Sequence, residues 1–311
     1  MRRTTIPLPD PFDFHLTVGH QTHFRGKAGS DLYADGTYYR ALRRGNDVLS
    51  AAATPLGDGR LEIRLLSGDS DVDLAFVTEA MANLLALDID LSGFYALLSA
   101  DPVLGDAVGH LRGLRPPRAE SVFEALVVAI IGQQISGNVA RVIREGLVET
   151  YGSPIDADGY MLQAFPRPER LLDAGTDALR AHKLSGRKVE YIQDTAERTL
   201  AGELDASRFL EMDNEEVIAE LIKVRGIGRW TAEWMLMRAL GRTDVLPAGD
   251  LALRRVVSDL YFGGETINEA QLAAFGTERW SPYRGLATTY LFSYLRKQRV
   301  DAGGTAPTAP G

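Results

Sequence analysis

The sequence predicts a mainly helical protein that begins with a small α+β domain. Strand patterns occur between residues 37 and 67, strand patterns are absent from about Pro116 onward, and helix-capping signals recur up to Pro282. The 311 residues are 45% hydrophobic and 24% charged, a composition typical of a globular protein with a sizeable core. We expect an N-terminal domain over 1–115, a helical domain over 116–300 and a disordered tail over 301–311.

The N-terminal domain is predicted as antiparallel strands followed by a helix. Residues 60–67 alternate charged with apolar side chains, the pattern of a half-buried strand. A Gly-Asp-Gly turn at 57–59 joins this strand to a second one over 47–54, and 37–44 is predicted as a third. A helical pattern over 72–85 then covers one face of this small sheet.

In the second part of the chain, capping residues mark the helix boundaries. Asp213 and Asn268 each begin a capping box, and Ser281 followed by Pro282 predicts an N-cap with proline at the first helical position. The helices predicted from these signals and from apolar periodicity cover 120–131, 138–151, 217–224, 229–239 and 251–260.

Composition excludes several classes of function. The chain has no cysteine, which excludes disulfides, cysteine nucleophiles and thiolate-bound metal clusters. We find no apolar run of about 18 residues and no apolar segment behind the N-terminal arginines, so we expect no membrane partner, no signal peptide and a cytoplasmic location.

Charge gives an ambiguous signal about nucleic acid. The net charge of −8 argues against it, yet residues 221–260 hold seven basic and four acidic side chains. A locally positive face is compatible with a phosphate-bearing ligand, but on charge alone a solvated surface is the favoured explanation.

The segment Gly226-Ile-Gly228 lies between two predicted helices. Glycine permits a positive φ and a close approach of the backbone to a ligand, and amides at the start of the next helix form an anion site. A tight corner between helices is the alternative. A dinucleotide site is disfavoured, because Thr231 replaces the third glycine and the preceding segment is helical.

Asp250 directly precedes the helix predicted over 251–260. Its position suits a helix N-cap. The same position also suits a fixed anion that stabilises a developing cation in a cleft. The position leaves both roles open.

Three motifs together carry a resemblance to a known family. The segments VRGIGRWTA at 224–232 and VLPAGD at 245–250 resemble the helix-hairpin-helix and Gly/Pro-Asp loop of a DNA glycosylase superfamily, and IGQQIS at 131–136 resembles another of its signatures. Within it the chain is most similar to the 3-methyladenine DNA glycosylase II family, over residues 6–298. The resemblance implies an N-terminal antiparallel α+β domain ahead of an all-helical glycosylase core with its hairpin at 222–232.

The resemblance also implies a reaction. A monofunctional enzyme would hydrolyse the N-glycosidic bond of alkylated bases such as 3-methyladenine in duplex DNA, as part of base excision repair. Asp250 would be the catalytic carboxylate, and one suffices because an N-alkylated purine is already cationic. Trp230 stands where lyase members carry a Schiff-base lysine, so no lyase activity is expected.

Further site residues follow from the same resemblance. Gln134 would fill the space left by the flipped base. The partner would be damaged double-stranded DNA, bound by a monomeric enzyme. The chemistry would need no cofactor. A monovalent or divalent cation would lie at the hairpin on the backbone carbonyls of Ile222, Val224 and Ile227. The base pocket would be lined by Trp230, Trp234, Tyr283 and His20, and DNA would also contact Arg225, Gly226, Gly228, Arg229 and Thr231.

Alternatives remain for function and for metal binding. The enzyme could act on other methylated or oxidised bases, or the chain could be a non-catalytic helix-hairpin-helix module, against which Asp250 argues because a phosphate binder has no use for an anion facing DNA. His15, His20 and His23 have a spacing that metal ligands use, but no cysteine or acidic companion completes the set. The acidic run at 69–73 imitates a calcium loop, but we expect a charged helix start there, since Leu74 stands in place of the required glycine.

Overall fold

The computed structural model describes residues 2–23 and 29–301, without the side chains of 20–23 and 299–301. Except for Asp301, the tail predicted over 301–311 lies outside the described residues, as does the side chain of His20. The described part is mostly helical with a small antiparallel sheet near its start, so the predicted fold class is confirmed.

A five-stranded antiparallel sheet, in the order β1-β5-β4-β3-β2, forms the N-terminal part. The predicted hairpin and third strand are present, while β1 and β2 were not predicted. Residues Leu61, Ile63 and Leu65 are buried, as their alternation with charged residues requires. The strands are β1 (Arg2–Pro7), β2 (Asp31–Ala34), β3 (Thr37–Arg44), β4 (Asp47–Pro55) and β5 (Arg60–Leu65).

Thirteen helices make up most of the rest of the described chain. The first seven are α1 (Phe14–His23), α2 (Asp71–Leu84), α3 (Ser92–Leu98), α4 (Leu104–Leu111), α5 (Val122–Gly132), α6 (Gly137–Tyr151) and α7 (Pro168–Ala181). They are followed by α8 (Gly186–Leu200), α9 (Asn214–Leu221), α10 (Arg229–Arg238), α11 (Leu251–Tyr261), α12 (Glu269–Trp280) and α13 (Arg284–Asp301).

Strands do not end at Pro116, so that expectation was wrong. Two short strands, β6 (Ser153–Ala157) and β7 (Tyr160–Ala164), form a hairpin inside the otherwise helical part. Asp158 and Gly159 make its turn with positive φ of 55° and 88°. Apolar residues of this hairpin pack against the N-terminal sheet, which supplies the partner surface that so short a hairpin needs: Ala157, Leu162 and Ala164 contact Tyr39, Ala41 and Ala52.

Most predicted helix caps are confirmed, and one is wrong. Asp213 and Asn268 form the predicted capping boxes. Ser281, predicted as an N-cap, instead ends α12, and its hydroxyl donates to the Asp244 carboxylate at 3.0 Å. Helix α13 begins three residues later, at Arg284.

The acidic run at 69–73 is a helix start, as expected. Ser70 caps α2 in a capping box with Asp73, and Asp73 also pairs with Arg44 at 2.6 Å. Among the side chains that the structure describes, which exclude those of His20 and His23, no group of three or more His, Asp or Glu is placed to hold a metal ion. No helix within residues 2–23 and 29–301 is long and apolar enough to span a membrane.

The helical part is built around two hydrophobic cores. One is shared by α5 to α10, and the other joins α3 and α4 to α11, α12 and α13. The second core therefore combines helices from both sides of residue 115, and the division into 1–115 and 116–300 stays a prediction. A third core lies between the sheet and helices α1 and α2.

Candidate functional site

Helices α9 and α10 form a helical hairpin whose loop depends on glycine. Gly226 has a φ of +83°, and a Cβ built on it would lie 2.2 Å from the Tyr191 ring, so a side chain fits neither the backbone conformation nor the space. Gly228 has an extended backbone with a φ of −92°, and a Cβ there would meet open space. Gly228 is also the N-cap of α10 and offers no capping side chain, so the first amides of α10 form a candidate anion site.

Helix α8 supports the hairpin loop through three side chains. The Arg225 amide donates to the Asp194 carboxylate at 3.1 Å, and the Arg225 guanidinium pairs with Glu190 at 2.9 Å. Together with the Tyr191 ring under Gly226, these contacts fix the loop without using Gly228. The loop backbone is therefore rigidly placed, while its outer surface stays open for a ligand.

The predicted cations of the hairpin already have acidic partners. Lys223 pairs with Glu220, and Arg229 pairs with Glu215 and with Glu233, the latter at 3.0 Å. Burial raises the pKa of Glu233 to about 7, and the Arg229 charge opposes that rise only in part. These pairs lower the positive charge that the hairpin offers to a phosphate.

Asp250 lies at the start of α11 and is 4% exposed. Its Oδ1 accepts a hydrogen bond from the Leu253 amide at 2.9 Å, so the predicted helix cap is present. Its Oδ2 accepts a hydrogen bond from the Trp230 indole Nε1 at 2.9 Å. One carboxylate thus caps α11 and connects it to the first turn of α10.

The aromatic side chains of α10 continue from this carboxylate. The Trp230 and Trp234 rings meet edge to face with centroids 6.4 Å apart, and Trp234 stacks on Phe292 of α13 at 6.5 Å. The Arg238 guanidinium lies 5.1 Å from the centroid of the Trp234 ring. Within the described residues, the Trp234 indole nitrogen has no hydrogen-bond partner. The result is a half-buried aromatic surface beside Asp250.

Tyr283 packs against the second hydrophobic core. Its ring meets Phe94 edge to face with centroids 5.9 Å apart, and its hydroxyl lies over Gly93. Trp230, Trp234 and Asp250 form one connected group, and within the described ranges no hydrogen bond or ring contact joins Tyr283 to them. The fifth predicted residue, His20, has a side chain outside the described residues.

Gln134 is exposed in the turn between α5 and α6 and has a positive φ of 58°. Such a conformation is uncommon outside glycine, and at functional sites it is a form of stored strain. The preceding residue, Gln133, donates from Nε2 to the Gly226 carbonyl at 2.9 Å and to the Thr231 hydroxyl at 3.3 Å. Thr231 is only 2% exposed, so it supports the hairpin from inside.

Sequence reasoning missed several of these residues. Gln133, Asp194 and Tyr191 support the hairpin, and Phe292 completes the aromatic surface, yet each acts across a long sequence separation. Only Gln133 had a local signal, since it adjoins Gln134.

Of the predicted carbonyl ligands, that of Val224 accepts a hydrogen bond from the Ile227 amide at 3.1 Å.

Comparison with known proteins places these features in context. Residues 127–282 match the model of the HhH-GPD superfamily of base excision DNA repair proteins. The chain is 32% identical over 295 residues to the probable bifunctional transcriptional activator/DNA repair enzyme AlkA of Mycobacterium tuberculosis, covering 93% of this chain. The chain spans 56% of the length of that relative.

Two further proteins match over nearly their full length. The DNA-3-methyladenine glycosylase of Bacillus subtilis is 26% identical over 293 residues, covering 93% of this chain and 96% of the relative. The solved 3-methyladenine DNA-glycosylase from Archaeoglobus fulgidus is 29% identical with a TM-score of 0.83, covering 96% of this chain and 99% of that structure.

Proposed function

Because the chain belongs to the HhH-GPD superfamily of base excision DNA repair proteins, we propose that it is a DNA glycosylase for alkylated bases of the 3-methyladenine type in duplex DNA. The observation that carries this proposal is the buried Asp250 carboxylate, held by one hydrogen bond on each oxygen beside the hairpin helix. A module that only bound phosphate would gain no DNA affinity from a fixed anion at this place.

The proposed reaction needs a negative charge near the sugar and does not need an acid to protonate the leaving base. As the bond from C1′ to the base nitrogen breaks, its electron pair leaves with the base, and positive charge develops on the deoxyribose. The Asp250 carboxylate would stabilise that charge, while a water oxygen bonds to C1′ and the proton that this water loses passes to the solvent. An alkylated purine is already cationic and leaves without protonation, so a single carboxylate suffices.

The aromatic surface beside Asp250 suits such a base. The Trp230 and Trp234 rings lie side by side next to the carboxylate, and a cationic base stacked on an aromatic ring gains about 0.5–2 kcal/mol. Reaching this surface requires the base to leave the duplex, which costs least where alkylation has already weakened pairing. Gln134 would fill the space that the base leaves.

The reaction would stop at the abasic site. A lyase needs an amine nucleophile next to the sugar, and Trp230 stands at that position with its indole nitrogen committed to Asp250. The hairpin loop would hold a DNA phosphate through the amides that follow Gly228, with a cation on its carbonyls as a further contact. The chemistry itself uses no cofactor in this proposal, and the enzyme would act as a monomer.

Single-turnover release of base from duplex DNA containing 3-methyladenine tests the proposal. We expect the free base and an intact abasic strand, and borohydride should trap no covalent complex. Release of only other methylated or oxidised bases from a lesion panel would refute the substrate class. Tight DNA binding with no release from any lesion would identify a non-catalytic DNA-binding module, and a trapped complex would refute the monofunctional route.

A further inference from the structure

The turn between α5 and α6 carries two consecutive glutamines with opposite placement. Gln134 is exposed, whereas Gln133 is half-buried, and its backbone amide bonds to the Ile130 carbonyl at the end of α5. Gln134 has a φ of 58°, a conformation that costs about 1–3 kcal/mol and persists only where neighbouring contacts enforce it. The contacts made by Gln133 are therefore part of what holds Gln134 in place.

The Gln133 side chain points to the hairpin. Its Nε2 donates to the Gly226 carbonyl at 2.9 Å and to the Thr231 hydroxyl at 3.3 Å. Gly226 is the left-handed residue of the hairpin loop, and Thr231 lies in the first turn of α10. One amide group thus bridges the loop and the helix of the hairpin, and it comes from the residue next to Gln134.

A different helix holds the end of α5, just before this turn. Lys188 of α8 donates from Nζ to the Ile131 carbonyl at 2.7 Å. Within the described residues, the side-chain hydrogen bonds from this turn to the hairpin are the two made by Gln133. Without them, the turn would stay attached to α8, but its register with the hairpin would depend on packing alone.

We infer that Gln133 is a positioning residue that couples the hairpin to Gln134. It keeps a fixed geometry between the hairpin, which binds the DNA backbone, and Gln134, which enters the space left by the flipped base. This inference rests on the proposed function, because it assigns Gln134 to the space left by a flipped base. Gln133 is half-buried, and its side-chain amide donates to the hairpin. Its loss should impair base flipping more than DNA binding.

The test uses Gln133→Met, which keeps the length of the side chain and removes both donors. Ser50→Ala is the matched control. The Ser50 hydroxyl also donates to a distant backbone carbonyl, that of Asp156 at 2.7 Å, but this bond joins β4 of the N-terminal sheet to β6. Flipping is measured by fluorescence of 2-aminopurine placed beside the lesion. Affinity is measured on undamaged duplex, and the rate is measured in single turnover at saturating enzyme.

For Gln133→Met we expect an approximately tenfold slower single-turnover rate and a weaker flipping signal, with affinity for undamaged duplex within about twofold of the wild type. Gln134→Ala should show a similar loss, and the double variant should be no worse than the worse single variant, since the two residues act as one unit. Ser50→Ala should lose similar thermal stability and keep the wild-type rate.

Several outcomes would overturn the inference. These are a wild-type rate in Gln133→Met, an additive double variant, a loss of affinity as large as the loss of rate, or an equal loss of rate in Ser50→Ala. A wild-type protein that releases no base would refute the proposed function instead, and the flipping signal would then test the coupling by itself.

Discussion

Replacing Asp250 by asparagine should separate the structural role of this side chain from its catalytic role. Asparagine retains an oxygen for the Leu253 amide, so the cap of α11 survives. The new NH2 group, however, would face the Trp230 indole N–H, which now donates to Oδ2 at 2.9 Å. Two donors would then meet in a buried place, and the negative charge would be gone.

The contacts set the expected magnitudes. A hydrogen bond to a charged group contributes about 1.5–3 kcal/mol, so Trp230→Phe, which leaves Oδ2 without its donor, should destabilise the fold by about that amount. In the double variant Asp250→Asn with Trp230→Phe, the contact between two donors no longer exists. The double variant should therefore be about 2 kcal/mol more stable than the sum of the single variants predicts.

Catalysis should follow a different pattern. Asp250→Asn should slow single-turnover base release about 10²-fold or more, because the developing charge on the sugar loses its counter-ion. The double variant should not recover that loss, although its stability partly recovers. Stability is read from thermal denaturation, where 1 kcal/mol corresponds to about 2–4 °C in a domain of this order of size.

Two results would refute this reasoning. A wild-type rate in Asp250→Asn would make the carboxylate a helix cap and nothing more. Strict additivity of the two substitutions in thermal denaturation would mean that the hydrogen bond between Trp230 and Asp250 does not stabilise the protein.

Three further predictions concern the hairpin. Burial raises the pKa of Glu233 to about 7 from an ordinary 4.5, so its ionisation destabilises the fold as the pH rises between these values. Glu233→Gln should match the wild type in thermal denaturation below pH 4.5 and exceed it above pH 7 by at most about 3 kcal/mol, and parallel profiles would contradict this. Gly226→Ala should lower both thermal stability and DNA affinity, whereas Gly228→Ala should lower affinity alone, and a loss of stability in the second variant would argue against an open phosphate face. Arg225→Gln should reduce the slope of log affinity against log salt by up to about one, and Glu190→Gln, which frees the guanidinium, should raise affinity; an unchanged slope would place Arg225 away from DNA.

Much of the local structure could be predicted because it depends on neighbours in the sequence. The capping boxes at Asp213 and Asn268 use side chains three residues apart, so a short window contains both partners. The Asp250 cap is of the same kind. Ser281 shows the limit: it ends α12 instead of capping α13, and its hydroxyl donates to Asp244, a residue 37 positions away that no local window contains.

Local sequence specified the residue types of the site: a carboxylate at a helix start, glycines in a hairpin loop and aromatic residues one turn apart on one helix. Which of these residues are in contact depends on how the helices pack. Trp230 and Asp250 are 20 residues apart, and Gln133 and Gly226 are 93 apart, so their hydrogen bonds exist only because α5, α8, α10 and α11 pack in one arrangement. Packing also paired Arg225 with Glu190 and Arg229 with Glu215 and placed Tyr283 on Phe94, since distances between helices depend on the whole core and not on any short window.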